Sequence, residues 1–196
     1  MLRKKHYTHI MVVVHGYSEL RLAEFVKSTL RIPLEIVSNR NGSLPYQITD
    51  LGKLFGKSCD FNSGFKTKYK EKIKFKNRKP LNLKIFTIMD QDDTPNDIYQ
   101  MYKSGRLLKK SNGLLGSLII PIFNEENLEE VLKDVGWDYA KTNMDKGKIY
   151  LETFPTIINY DQTRKNRIEQ LEIKLENCPK TNMEKFLKAC LEEQNY

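Results

Sequence analysis

A chain of 196 residues, 39% hydrophobic and 30% charged, suits one globular domain, or one domain with a helical appendage, and can bury a sizeable core. Its apolar runs all fall well short of the roughly 18 residues of a membrane-spanning helix, which excludes that class. Three scattered cysteines (Cys59, Cys178 and Cys190) form no CxxC pair and point to a reducing cytoplasm.

The net charge is +8, and most of it is local. Between Lys66 and Lys79 stand eight basic residues, Lys66, Lys68, Lys70, Lys72, Lys74, Lys76, Arg78 and Lys79, against the single acid Glu71. A patch this dense has a partner more often than diffuse charge does.

In chain order, the basic N-terminus precedes an apolar run, Ile10 to Val14, that is too short for a signal-peptide core. Met11 to Val14 is a compact β-branched run and reads as a buried strand. A turn at Gly16 follows, then a helix with Ser18 as N-cap and Leu20, Leu22, Ala23, Phe25, Val26 and Leu30 on its apolar face. Pro33 ends that helix, and Leu34 to Val37 is a second strand. Thr49 is placed to cap a short helix through Leu51 and Leu54 towards Gly56.

From Phe65 to Lys76 lysine occupies every even position, with Phe65, Thr67, Tyr69, Glu71, Ile73 and Phe75 between. A period of two predicts an extended segment with one lysine face and one partly aromatic face, an edge strand or hairpin protruding from the sheet. Lysine on an edge strand also blocks aggregation. Six in strict alternation exceed that need and suit a phosphate backbone, bound in a salt-sensitive way.

A third strand, Leu83 to Met89, runs into Asp90-Gln91-Asp92-Asp93. On an extended chain Asp90 and Asp92 fall on the same side, where two carboxylates suit one hard cation. The same residues also suit an Asp-rich turn before the next helix. That helix starts at Pro95-Asn96, carries Ile98, Met101 and Tyr102, and stops at Gly105. Leu118 to Phe123 is a fourth strand, and its Pro121 suits an edge. Asn124 to Asn127 then precede a helix marked by Leu128, Val131 and Leu132. Lys148 to Glu152 reads as a weak further strand. The tail from Asp161 is helical, with Ile168, Leu171 and Leu175 in a stripe, a break at Pro179, and a capping-box pattern at Thr181 to Glu184.

The alternation of strands and helices predicts a doubly wound, mainly parallel, four-stranded α/β sheet over residues 1–160. Residues 57–82 form its basic insertion, a β-hairpin or edge strand, and residues 161–196 a helical C-terminal appendage. Its polar clusters, His15 to Glu19, Asp90 to Asp93 and Asn124 to Asn127, follow three strands and therefore share one rim.

Two of these clusters carry a family resemblance. Val12-Val13-Val14-His15-Gly16-Tyr17-Ser18-Glu19 and Phe86-Thr87-Ile88-Met89-Asp90-Gln91-Asp92 resemble the two motifs of the Toprim family, the metal-binding domain of topoisomerases, primases and several nucleases. The likeness spans roughly residues 10–135. The family carries a glutamate where this chain has His15. The resemblance implies a divalent-metal-dependent nuclease using Mg²⁺ or Mn²⁺. Asp90 and Asp92 would hold the cation, Asp93 would support it, Glu19 would complete the site or orient water, and His15 would be ligand or proton carrier. Glu125 and Glu126 are candidates for a second metal, and Lys146 or Lys148 for stabilising transition-state charge. Nucleic acid would lie on the lysine segment. A separate partner ATPase and a role in antiviral defence follow from the same resemblance. The alternative is a nucleic-acid- or protein-binding module that kept this fold without the chemistry, and a third reading is an enzyme acting on small phosphorylated molecules.

Overall fold

The computed structural model describes residues 7–54, 65–77, 79–91, 94–111, 116–142, 146–156 and 162–194. In chain order its elements are β1 (Ile10–Val14), α1 (Tyr17–Leu30), β2 (Leu34–Val37), α2 (Leu51–Leu54) and α3 (Phe65–Tyr69). The short strands β3 (Phe75–Lys76) and β4 (Lys79–Pro80) follow, then β5 (Lys84–Asp90), α4 (Asn96–Lys103), α5 (Arg106–Ser111) and β6 (Ile119–Asn124). The chain continues through α6 (Leu128–Asp134), α7 (Lys146–Thr153), α8 (Gln162–Glu176) and α9 (Glu184–Glu193).

Four strands make one all-parallel sheet in the order β2-β1-β5-β6. Parallel sheets are covered on both faces, and the unbroken apolar run of β1 meets that demand, since all five of its residues are buried. Side-chain alternation divides the sheet between two cores. Val12, Val14, Phe86, Ile88 and Ile122 pack with apolar residues of α1, α6, α8 and α9. Met11, Val13, Ile85, Met89 and Ile119 pack on the other face with Ile48, Leu51, Tyr69, Ile73, Tyr99, Tyr102 and Leu108. The buried Tyr102 hydroxyl shares its one proton between the carbonyls of Thr87 and Ile122, tying α4 to β5 and β6.

This order sets the site. From β1 the chain passes over one face to the edge strand β2, then returns on the other face to β5, on the far side of β1. The connections part between β1 and β5, and the crevice at the carboxyl ends of those strands is where open α/β sheets bind ligands.

β6 is the opposite edge strand, as Pro121 suggests. Residues of the tail close its outer side: Phe123 N donates to Asn182 Oδ1 (2.9 Å), Asn182 Nδ2 to Pro121 O (3.0 Å), and Glu125 N to Lys180 O (2.7 Å). The long, flat edge that invites pairing with another chain is thereby covered.

Several local expectations are corrected. The lysine run is not one extended strand: Phe65–Tyr69 is helical, residues 70–73 turn, and only Phe75–Lys76 and Lys79–Pro80 pair, as a minimal antiparallel hairpin outside the main sheet. Tyr69 and Ile73, four residues apart, both bury in the second core, and that anchoring overrides the period of two. Lys148 to Glu152 lies inside helix α7, where Tyr150 stacks on Phe154 one turn later, ring centroids 5.6 Å apart. Gly16, not Ser18, is the N-cap of α1, and Gln47 rather than Thr49 precedes the 3₁₀ turn that leads into α2. The Thr181 hydroxyl accepts from Met183 N, but the Thr181 N–H donates to Cys178 O (3.4 Å) and Met183 is the N-cap of α9, so the reciprocal capping box is not made. Cys178 and Cys190 are buried free thiols, whereas Cys59 and the helix end at Gly56 lie outside the described residues. Among the described residues no helix is long and apolar enough to cross a membrane.

Candidate functional site

β1 ends at Val14, and His15 leaves the sheet still bonded to it, its N–H donating to Ile88 O of β5 (2.9 Å). The loop after β2 folds over this exit. Gly42 permits it, with a left-handed φ of 79° and room for no side chain, since a Cβ there would lie 2.9 Å from Tyr17 Cα. Farther along that loop, Tyr46 N donates to His15 O (2.8 Å), and His15 Nδ1 lies 2.7 Å from Tyr46 O. A carbonyl only accepts, so Nδ1 carries the proton, and in the neutral ring Nε2 is the nitrogen able to bind a metal or a proton. The ring is buried, with 8% exposure.

One turn into α1, Glu19 folds back on the same exit, and its Oε2 accepts from Gly16 N (3.0 Å). Its other oxygen, Oε1, is buried without a hydrogen-bond partner. Burial pushes the Glu19 carboxyl above the ordinary carboxylate range; the nearby His15 opposes that push and Glu129 adds to it.

β5 ends at Asp90, also buried, whose Oδ1 accepts from Asn124 Nδ2 (2.8 Å). Asn124 is its register partner at the end of β6 and is fully buried. The Asn124 amide is oriented in turn by the Thr181 hydroxyl, which donates to Asn124 Oδ1 at 2.8 Å. The chain Thr181-Asn124-Asp90 thus reaches from the loop before α9 to the sheet rim. By strand alternation Asp90 falls on the α1 face with Phe86 and Ile88, the face that Glu19 also occupies. Asp92 and Asp93 lie outside the described residues.

Behind Glu19 sits a second polar cluster. Glu129 Oε1 accepts from Ser18 Oγ (2.7 Å), Tyr150 Oη (3.1 Å) and Lys146 Nζ (2.8 Å). Burial works to raise the Glu129 pKa, but the hydrogen bonds from Lys146 and Ser18 win and hold it below the usual range. Lys146 is therefore engaged with Glu129, and Lys148 is exposed on α7. At the β6 exit Glu125 pairs with Lys103 (2.8 Å), whose ammonium sits 4.0 Å from the Phe123 ring centroid; Glu126 is exposed with a left-handed φ of 63°.

The structure thus brings His15, Glu19 and Asp90 to adjacent strand exits on one rim. Among the described residues no group of three or more His, Cys, Asp or Glu side chains converges as a metal cage. Of the basic segment, Lys68, Lys70, Lys72, Lys74, Lys76 and Lys79 are exposed. Lys72 pairs with Glu35 (2.6 Å), and the side chains of Lys66 and Arg78 lie outside the described residues. Sequence reasoning missed Tyr46, Glu129 and Thr181, because their roles depend on which loops the strand order stacks at the rim. Asn124 was readable only as part of a polar strand exit. No protein-family model, no curated protein and no solved structure matches the chain.

Proposed function

We propose that this chain is a Toprim-like, divalent-cation-dependent nuclease whose centre is the crevice at the exits of β1 and β5. One observation carries the reading: Glu19 keeps a buried carboxylate oxygen with no hydrogen-bond partner at the topological switch point. An uncompensated buried carboxylate favours a proton or a cation. The donor chemistry suits a cation, since carboxylate oxygens of Glu19 and Asp90 fit Mg²⁺ or Mn²⁺, and a neutral imidazole nitrogen of His15 fits Mn²⁺ better than Mg²⁺. Asp92 and Asp93 would complete the ligand set. The bound cation supplies charge that polarises the scissile phosphate.

The remaining roles belong to the protein's own side chains. Asn124 donates to the ionised form of Asp90 and aims its carboxylate. Tyr46 O holds the His15 ring through Nδ1, so Nε2 is the nitrogen that would take and return a proton. The exposed lysines between Lys68 and Lys79 hold the backbone of DNA or RNA electrostatically. Antiviral defence beside a separate ATPase, in the cytoplasm, is the setting this proposal adopts from the resemblance.

One observation favours a binding module without chemistry, namely that no metal cage is complete among the described residues. Incubation of the purified protein with labelled single- and double-stranded DNA and RNA in Mg²⁺ or Mn²⁺ separates the two. The nuclease reading expects cation-dependent cleavage that Asp90→Ala and Asp92→Ala each abolish. Intact substrates, bound equally well in EDTA and by the two variants, would establish the binding module instead.

A further inference from the structure

A cavity of about 970 Å³ lies between α1 and the edge strand β2. Its cations are Arg21 and Lys27 from α1, Arg31 just past the end of that helix and Lys72 from the turn after α3, and its acids are Glu24 and Glu35. Four positive charges against two negative leave the groove positive by two. Arg21, Glu24 and Lys27 recur at a spacing of three, which puts them along one side of α1 for about 9 Å, and Arg31 follows at the C-cap. Leu20, the first residue of α1 to line the groove, directly follows Glu19 in the chain.

Arg21 is the unusual member. Its side chain is 12% exposed and its Nη1 donates to Glu24 (2.6 Å), but Nε and Nη2 are buried without a hydrogen-bond partner. Those two N–H groups form the guanidinium edge that binds two oxygens of one phosphate side by side. A buried charged donor pair without an acceptor calls for an anion or a water. Nothing in the packing of α1 requires an arginine here, because the helix already buries Leu20, Leu22, Phe25 and Val26.

We propose that this groove holds the nucleic-acid strand on which the rim acts, with one phosphate seated on Arg21 and the strand passing Lys27 and Arg31 along the β2 edge. The inference rests on the nuclease reading for its choice of ligand. Because Nε and Nη2 are covered, binding turns the Arg21 side chain outward and exchanges its Glu24 partner for the phosphate. Glu24 is thus a competitor for Arg21. The two substitutions therefore act with opposite sign: losing Arg21 weakens binding, and neutralising Glu24 strengthens it.

The test is fluorescence anisotropy of a labelled single-stranded oligonucleotide, titrated with the full chain in EDTA over a salt series. Arg21→Gln is expected to weaken binding at least tenfold and Lys27→Gln several-fold. Each is expected to lower the salt slope by about 0.7 for every phosphate no longer neutralised. Glu24→Gln is expected to tighten binding. Lys27 is exposed, so its variant keeps the test decisive if Arg21→Gln unfolds, and thermal melts identify that case. Unchanged affinity in both the arginine and lysine variants overturns the proposal. Inorganic phosphate or a mononucleotide competing as strongly as the unlabelled strand also overturns it, in favour of a small-anion site. Binding is read without any cation, so an absence of cleavage would sink the nuclease chemistry while leaving this result intact.

Discussion

Glu19 enters the protein with one oxygen capping Gly16 and the other facing no donor, an arrangement that costs stability whenever the carboxyl is ionised. Burial raises its pKa above the ordinary value of 4.5. The stabilisation from the protonated acid is therefore fully present below about pH 4.5, the value taken for the unfolded chain, and is lost as pH rises through the folded pKa. Glu19→Gln keeps the shape and removes the charge. It is expected to melt higher than the parent at pH 8, by about 2–4 °C for each ~1 kcal/mol gained in a chain of this size, with the gain vanishing near pH 4. Mn²⁺ is expected to raise the melting temperature of the parent at pH 8 but not that of the variant. Scanning calorimetry at the two pH values checks both statements. At this scale His15, Glu19 and Asp90 were legible, because strand-end residues are visible in a pattern of apolar runs. The Asn124 amide on Asp90 and the Tyr46 carbonyl on His15 were not, since each partner is set by register and loop stacking that no local pattern encodes.

The lysine segment shows how two periods compete in one element. Alternation suggested a strand, but Tyr69 and Ile73 stand a helical turn apart and bury together, so the chain coils through α3 and a turn before its brief hairpin. The same contest decided α7, where Tyr150 and Phe154 pack one turn apart. Lys68, Lys70, Lys72, Lys74, Lys76 and Lys79 are exposed in the observed geometry, so they remain the residues on which the electrostatic expectation is to be tested. Charge reversal of Lys70, Lys74 and Lys76 to Glu is expected to reduce nucleic-acid affinity by about 10-fold or more at low salt and to leave the melting temperature unchanged. Electrophoretic mobility shifts over a salt series provide the check. Unaltered binding would restrict the segment to its structural role. Strands β1, β2, β5 and β6 were all legible as apolar runs, because burial on both faces leaves little room for any other pattern.

For the molecule as a whole, strand order matters more than any single element. The sequence pattern could place polar clusters after strands, but it could not say which strands are neighbours. The order β2-β1-β5-β6 puts the exit that carries His15 and Glu19 next to the exit that carries Asp90 and makes that the topological switch point. The tail, read from the sequence as a helical appendage, packs into the core itself. Ile168, Leu171, Leu175, Phe186 and Leu187 are each at most 1% exposed in the core over α1, and Phe186 meets Phe86 edge-on at 5.5 Å. Burying each such side chain is worth about 1.5–3 kcal/mol before chain ordering is counted, against a net stability of only roughly 5–15 kcal/mol for a whole domain. Truncation at residue 161 is accordingly expected to give a chain without a cooperative thermal transition, and Thr181→Val one that folds but loosens Asp90. Circular dichroism melts of the two variants test that difference.

The central claim, that the exits of β1 and β5 hold a divalent cation, is tested most directly by anomalous diffraction from crystals soaked in Mn²⁺. A peak is expected in ligand distance of Glu19 and Asp90, absent from Asp90→Ala. A rim without anomalous density, with Glu19 Oε1 still unpartnered, would contradict it.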